Sequence, residues 1–202
     1  ESHDEFSSLL DLFAELHIDG LAIHGLTVRE KYQTPIHPES IAEAVERLAY
    51  PVTANGNIVS VGTAQSLLNQ TKAAGLMIGR GGIRDPWLFD QIRSSLAGEA
   101  VTTPSLRDVC DYLIELSQEV ESESNFPHEP SLVNRLKKFS NYIPSGIAEG
   151  TLNRELRQAT SKSEFFDVCH RHLDSSDPFP EEPEEDGKLF CGFRELNELA
   201  AR

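Results

Sequence analysis

Pro51-Val52-Thr53-Ala54-Asn55-Gly56-Asn57 and Gly75-Leu76-Met77-Ile78-Gly79-Arg80-Gly81-Gly82 decide how this chain folds. Each is a short apolar run that ends in a polar turn bearing glycine. A helical pattern lies between them, with Ser60 as its cap and Ala64, Leu67 and Leu68 on its inward side. Short apolar runs bounded by turns read as buried strands, and the intervening 3,4 spacing reads as a helix. The layout is two consecutive strand–loop–helix units with loops at the strand ends that are able to hold a ligand.

The same pattern extends upstream. Residues 2–17 read as an amphipathic helix through Phe6, Leu9, Leu10, Phe13 and Leu16, with Ser2 and Glu5 as a capping box. Asp19-Gly20 stops it, and Leu21-Ala22-Ile23 forms a short strand ending at His24-Gly25. A polar loop leads to Pro38, which suits the first turn of a helix because its missing donor costs little there. Ile41, Ala44, Val45 and Leu48 give that helix its inward side. After the second glycine turn, Asp85-Pro86 starts a helix carrying Trp87, Leu88 and Ile92. Strands alternating with helices predict right-handed βαβ units on a parallel sheet.

Beyond about residue 100 the strand signals stop. Helices are expected over 105–120, 129–143, 149–159 and 163–173, a set that reads as a small all-α bundle. Residues 174–188 combine Pro178, Pro180 and Pro183 with a run of acids and are expected to be a flexible linker. Residues 189–202 are left as a short helix or a mobile tail. The domains expected are therefore 1–100, 101–173 and 174–202.

The chain has 202 residues, a hydrophobic fraction of 39% and a net charge of −15. That charge argues against a generally basic nucleic-acid binder, although the acids of 174–188 carry much of it. Cys110, Cys169 and Cys191 fit neither a disulfide framework nor a metal site, so a reducing cytoplasm and no metal are expected. No run approaches transmembrane length, so no membrane partner is expected. The first residue is Glu1 and the only methionine is Met77, so a piece of a longer protein is expected.

The chemistry lies at the strand ends. Gly56 allows backbone donors to approach an anion closely, Arg80 adds a bidentate cationic fork, and the following helices direct unpaired N–H groups at the same space. His24 also stands at a strand's C-terminal end, the functional edge of a parallel sheet. His3, His17, His37, His128, His170 and His172 lack ligand-like spacing and read as surface residues.

Leu21-Ala22-Ile23-His24-Gly25-Leu26-Thr27, Tyr32, Pro51 through Ile58, Met77 through Ile83 and Pro86-Trp87-Leu88-Phe89 together resemble the tRNA-dihydrouridine synthases. The resemblance covers residues 5–173. It implies a partial (β/α)8 TIM barrel, contributing its C-terminal three βα units, followed by a helical tRNA-binding domain. It implies FMN as cofactor, NADPH as reductant and reduction of uridine to dihydrouridine in tRNA by a protein that is a monomer when complete. Position by position, His24 matches a flavin contact, and Asn55, Gly56 and Asn57 match a loop near the FMN phosphate. Gly79 and Arg80 match the second phosphate loop. Arg135, Lys137 and Lys138 match the helix facing tRNA, and close-set cations suit phosphate contacts.

The sequence departs from the family at two positions. Leu26 stands where the family usually has arginine, and Asn57 where it usually has an acid. The catalytic cysteine and the flavin-binding lysine of the family have no match in these 202 residues, and none of the three cysteines sits in the corresponding motif. Two other readings compete: a different FMN barrel acting on a small molecule, against which the helical region argues, and a non-catalytic RNA-binding remnant. Three strands of a barrel would leave open edges, so the chain alone is expected to be marginal or prone to aggregation.

Overall fold

Three parallel strands carry the first part of the fold: β1 (Leu21–His24), β2 (Val52–Asn55) and β3 (Gly75–Met77), in the order β1-β2-β3. The structure is a computed structural model and describes residues 3–30, 34–123, 128–184 and 189. Ser2, Tyr32, Cys191 and the tail expected over 189–202, apart from Leu189, lie outside the described residues. The described chain divides into two compact units, the first taking in the residues up to Gly81 together with Leu189 and the second spanning Gly82–Glu184.

In the first unit, α1 (His3–Ala14), α2 (Pro38–Arg47) and α3 (Val61–Thr71) alternate with the strands. Pro38 starts α2 as the sequence predicts, since a first-turn position has no intrahelical donor to lose. Ser60 caps α3: its hydroxyl accepts from the Thr63 amide, and Thr63 Oγ1 accepts from the Ser60 amide. Two amides that the helix leaves unpaired are thereby satisfied. Leu10, Ile41, Ala44, Val52, Ala54, Ala64 and Leu67 form the buried core. Among the described residues, only β2 has neighbours on both sides, and its Val52 and Ala54 are buried. β1 and β3 each have one edge unpaired among the described residues and are less buried, with Ala22 and Met77 exposed.

One sequence expectation changes here. Gly79-Arg80-Gly81-Gly82 is not a simple turn: only Ile78 and Gly79 separate β3 from α4 (Arg80–Arg84), and the next helix, α5 (Leu88–Leu96), starts after Asp85-Pro86-Trp87 rather than at Asp85. Glycine is a poor helix former, so the pair hid a helix held by packing.

In the second unit, α6 (Leu106–Glu123), α7 (Glu129–Phe139), α8 (Thr151–Gln158) and α9 (Lys162–Leu173) share one apolar core that includes Leu113, Leu136, Leu152, Phe165 and Leu173. Phe139, the last residue of α7, is 38% exposed, with the Arg135 guanidinium 4.9 Å from its ring centroid.

The flexible linker expected over 174–188 is corrected for residues 174–184. Phe179 is buried in the same core, its amide donates to the Pro104 carbonyl (2.8 Å), and Pro178 bridges Ser105. The amides of Leu106 and Arg107 donate to the carbonyls of Asp177 and Ser175. Acid and proline content concealed one aromatic anchor and a run of backbone pairing. The buried Arg84 side chain closes the arrangement. It donates to the carbonyls of Pro180 (2.6 Å) and Ser145 (3.2 Å) and stacks on Phe179 at 4.5 Å. Burial pushes its guanidinium down to about 10.

Candidate active site at the carboxyl edge of the sheet

The parallel register sets His24 against Asn55 and Asn55 against Met77, so the three strands end side by side. Neighbouring strands lie about 4.8 Å apart, and the loops that follow therefore open from one edge. The structure brings His24, Asn55, Gly56, Asn57, Gly79 and Arg80 to this edge region, each on or directly after a strand end.

Asn55 ties the edge together. Its side-chain amide donates to the Met77 carbonyl, and its own carbonyl accepts from the Gly25 amide (3.3 Å). Gly56 (φ 140°) and Asn57 (φ 49°) both take positive φ. A Cβ at Gly56 would come within 2.8 Å of Ile36 Cγ2, so the position requires glycine on two counts. Asparagine and aspartate are the side chains that tolerate the left-handed region best. The backbone at 57 thus accepts Asn57 as readily as an acid.

Gly79 and Gly81 separate the roles of the second glycine loop. A Cβ at Gly81 would stand 2.0 Å from the Ile58 carbonyl oxygen, so α4 is seated directly on the loop after β2. A Cβ at Gly79 would meet nothing within 4 Å, and its φ is not positive. Neither strain nor packing among the described residues requires glycine there, and the space before it is open. That is what a ligand group pressed against the backbone needs. Arg80, half-buried, follows immediately at the start of α4.

His24 ends β1 half-buried, with both ring nitrogens shielded from solvent. It borders a cavity of about 360 Å³ together with Phe6, Ile23, Leu26 and His37. His37 is a partly exposed residue, as the sequence leads one to expect, and its ring also ties Glu30 to Glu39. Its Nε2 lies 2.6 Å from Glu30 Oε1 and its Nδ1 3.2 Å from Glu39 Oε1. The other oxygen of Glu30 accepts from the Thr27 amide (2.6 Å), and the His37 amide donates to the Gly25 carbonyl (2.7 Å). The bond from His37, helped by the Thr27 amide, lowers the Glu30 carboxyl to about 2. Glu30, then Glu39, raise the imidazole above its usual range against the opposing effect of burial.

The three α7 cations diverge. Arg135 and Lys137 are two residues apart, roughly 200° around the helix. Arg135 lies over Phe139, whereas Lys137 donates to the Arg157 carbonyl (2.9 Å) in the last turn of α8. Lys138 is exposed.

Sequence reasoning passed over Gly81, Arg84 and the Glu30–His37 pair. A glycine following an arginine just after a strand is the only signal that marks Gly81 in advance. The others depend on partners brought close only by the fold. Cys110 and Cys169 are buried, and burial raises both thiols, Cys169 to about 12, so neither is poised as a thiolate nucleophile. Among the described residues, no group of three or more His, Cys, Asp or Glu side chains is placed to hold a metal, and no helix is long and apolar enough to cross a membrane.

The family model described as dihydrouridine synthase (Dus) matches residues 1–176. The tRNA-dihydrouridine synthase B of Pasteurella multocida (strain Pm70) is 34% identical over 104 residues, which is 51% of this chain and 31% of that protein. A probable tRNA-dihydrouridine synthase of Helicobacter pylori (strain ATCC 700392 / 26695) is 48% identical over 79 residues, 39% of this chain and 24% of that protein. The tRNA-dihydrouridine(16) synthase of Haemophilus ducreyi (strain 35000HP / ATCC 700724) is 28% identical over 170 residues, 83% of this chain and 49% of that protein. The chain spans about half the length of these relatives, or less. With residues 1–176 matched and the motif residues gathered at one sheet edge, the chain belongs to the dihydrouridine synthase family.

Proposed function

We propose that this chain is the C-terminal part of an FMN-dependent tRNA-dihydrouridine synthase. Residues 1–100 would supply the last three βα units of a TIM barrel and residues 101–173 its helical tRNA-facing domain. Among the described residues, the open edges of β1 and β3, the exposed Leu9 and Leu12 of α1 and the exposed Leu16 just after it suit strands and helices that continue on either side.

The observation that carries the reading is Gly79, a glycine with open space before it that nothing else in the described chain requires, followed directly by Arg80. A phosphate seated there would meet backbone donors at close range and a bidentate guanidinium. Gly56 and Asn57 would line the neighbouring loop, and His24 would meet the flavin. Held by Gly56, Asn57, Gly79 and Arg80, FMN would supply the hydride chemistry that reduces the C5–C6 double bond of uridine at the expense of NADPH. The residues of this chain bind and orient. Arg80 neutralises the phosphate, and the Asn55 cross-link fixes the three strand ends before the ligand arrives. The target base must leave its stack to reach a flavin face, as base-modifying enzymes require.

The test is flavin retention by the full-length protein. Wild type should purify with FMN and form dihydrouridine in tRNA given NADPH. Arg80→Ala and Gly79→Ala should lose the flavin while keeping the far-ultraviolet circular dichroism of wild type. Full flavin occupancy in both variants would refute the assignment.

A further inference from the structure

Thr27, Glu30 and His37 form a closed circuit on the loop that leaves β1. Glu30 receives the Thr27 amide with one oxygen and the His37 ring with the other, while the His37 amide returns to Gly25 next to His24. The fit at Gly25 is tight: a Cβ there would lie 3.2 Å from the backbone nitrogen and oxygen of His37. The Gly25 backbone is therefore pressed onto residue 37, where the His37 amide bond and the bonds of the Glu30 and His37 side chains hold it.

Both imidazole nitrogens face carboxylates, Nε2 toward Glu30 and Nδ1 toward Glu39 at the start of α2. A neutral imidazole has one N–H and can donate to only one of them. Only the imidazolium satisfies both. The other titratable groups bordering the same cavity are His24 on β1 and His3 on α1, and His3 lies 3.8 Å from Glu43.

We propose that the Glu30–His37 pair is a positioning clasp for the loop that follows β1, so that flavin binding at this edge tracks the protonation of His37. The proposal rests on the FMN reading above. Neither residue is a catalytic residue. They act by holding Gly25 to Thr27, and with them His24, in the bordering wall of the cavity.

The signs follow from the two groups. His37 is raised by its partners, so its contribution is complete below its ordinary value of 6.5 and is lost as pH rises through the raised value. Glu30 is lowered, so its contribution is complete above 4.5 and is lost as pH falls toward about 2. The clasp is closed between these limits and opens on the alkaline side. The His37 side chain is 41% exposed, and solvent screening keeps the effect modest.

In the full-length protein, the FMN dissociation constant should rise about fivefold as His37 discharges, the change expected from losing one partly exposed ion pair. His37→Gln should bind FMN more weakly in mildly acidic buffer and show a flat profile. A His37→Gln profile that rises with pH like the wild type overturns the coupling. A second readout needs no flavin: exchange protection of the Thr27 amide should fall as His37 titrates and should be lost in Glu30→Gln. Unchanged Thr27 protection in Glu30→Gln overturns the clasp whatever the flavin does. A protein that never holds flavin, but whose Thr27 protection still follows His37, overturns the cofactor reading and the coupling while upholding the clasp on the loop.

Discussion

Gly81 rests so closely on Ile58 that a side chain at 81 would place its Cβ 2.0 Å from the Ile58 carbonyl oxygen. The Gly81 backbone, at the start of α4, and the loop after β2 thus meet main chain to main chain. No rotamer relieves such a contact, because the obstructing atom is main chain. Gly81→Ala should lower the unfolding free energy by about 3 kcal/mol, in the upper range of single substitutions. Gly79→Ala, two residues away with open space before it, should change stability by less than about 0.5 kcal/mol. Urea unfolding of the two variants checks the contrast. The pair separates the glycine kept for the fold from the glycine proposed for the ligand.

Asp85 prepares the entry to α5. It is buried, and its two carboxylate oxygens accept from the Trp87 amide (2.9 Å) and from Gln91 Nε2 (3.1 Å). Burial raises its carboxyl above the usual 3.8 despite these bonds. For an acid raised in the folded state, the folded protein holds more protons than the unfolded chain as pH climbs through 3.8. Stability then falls with rising pH until the raised value is passed. Asp85→Asn keeps a side-chain acceptor for the Trp87 amide and removes that slope. Its unfolding free energy should stay within about 1 kcal/mol of wild type near neutrality and vary less across the acidic range. Asp85→Ala leaves buried donors without their acceptor and should cost about 2 kcal/mol. Urea midpoints measured at several acidic and neutral pH values distinguish the two.

The strand ends were readable because parallel strands and their glycine loops follow local rules: a short apolar run, a turn former, a helix cap. The Ser60 cap of α3 and Pro38 at the head of α2 are features of that kind, and both stand where the sequence puts them. The parts that were not readable depend on tertiary contact. α4 contains two glycines and is held by its seat on Ile58, which no propensity reveals. Segment 174–184 looks solvated by composition, yet one phenylalanine and a few backbone bonds are enough to dock it. His37 lacks any spacing signal because its partners are a glutamate seven residues before it and another two residues after it.

Phe179 and Arg84 give the docked segment its test. Phe179 is buried in the core of the second unit, with the Arg84 guanidinium 4.5 Å from its ring centroid. Phe179→Ala removes a buried aromatic and should cost about 3–5 kcal/mol. Arg84→Met keeps much of the volume but strips the carbonyls of Pro180 and Ser145 of their donor. It should free residues 180–184 to proteolysis before it unfolds the helices. Limited proteolysis followed by mass measurement reads that order. A wild-type cleavage rate at 180–184 in Arg84→Met would refute the role given to Arg84.

Lys138 and Lys137 are adjacent in sequence but differ in what their charges do. Lys137 donates to the Arg157 carbonyl at the end of α8, where a cation suits the helix's unpaired carbonyls. Lys138 is exposed. If α7 faces tRNA as proposed, Lys138→Glu should weaken tRNA binding and reduce the slope of log affinity against log salt by about one. Lys137→Ala should act first on stability, by about 0.5–1 kcal/mol through the loss of its bond to α8, and change the salt slope less. Filter binding of tRNA to the full-length protein across a salt series, paired with urea unfolding of both variants, separates a phosphate contact from a helix cap. Equal salt slopes for wild type and Lys138→Glu would remove Lys138 from the proposed RNA surface, whatever its effect on affinity at a single salt concentration.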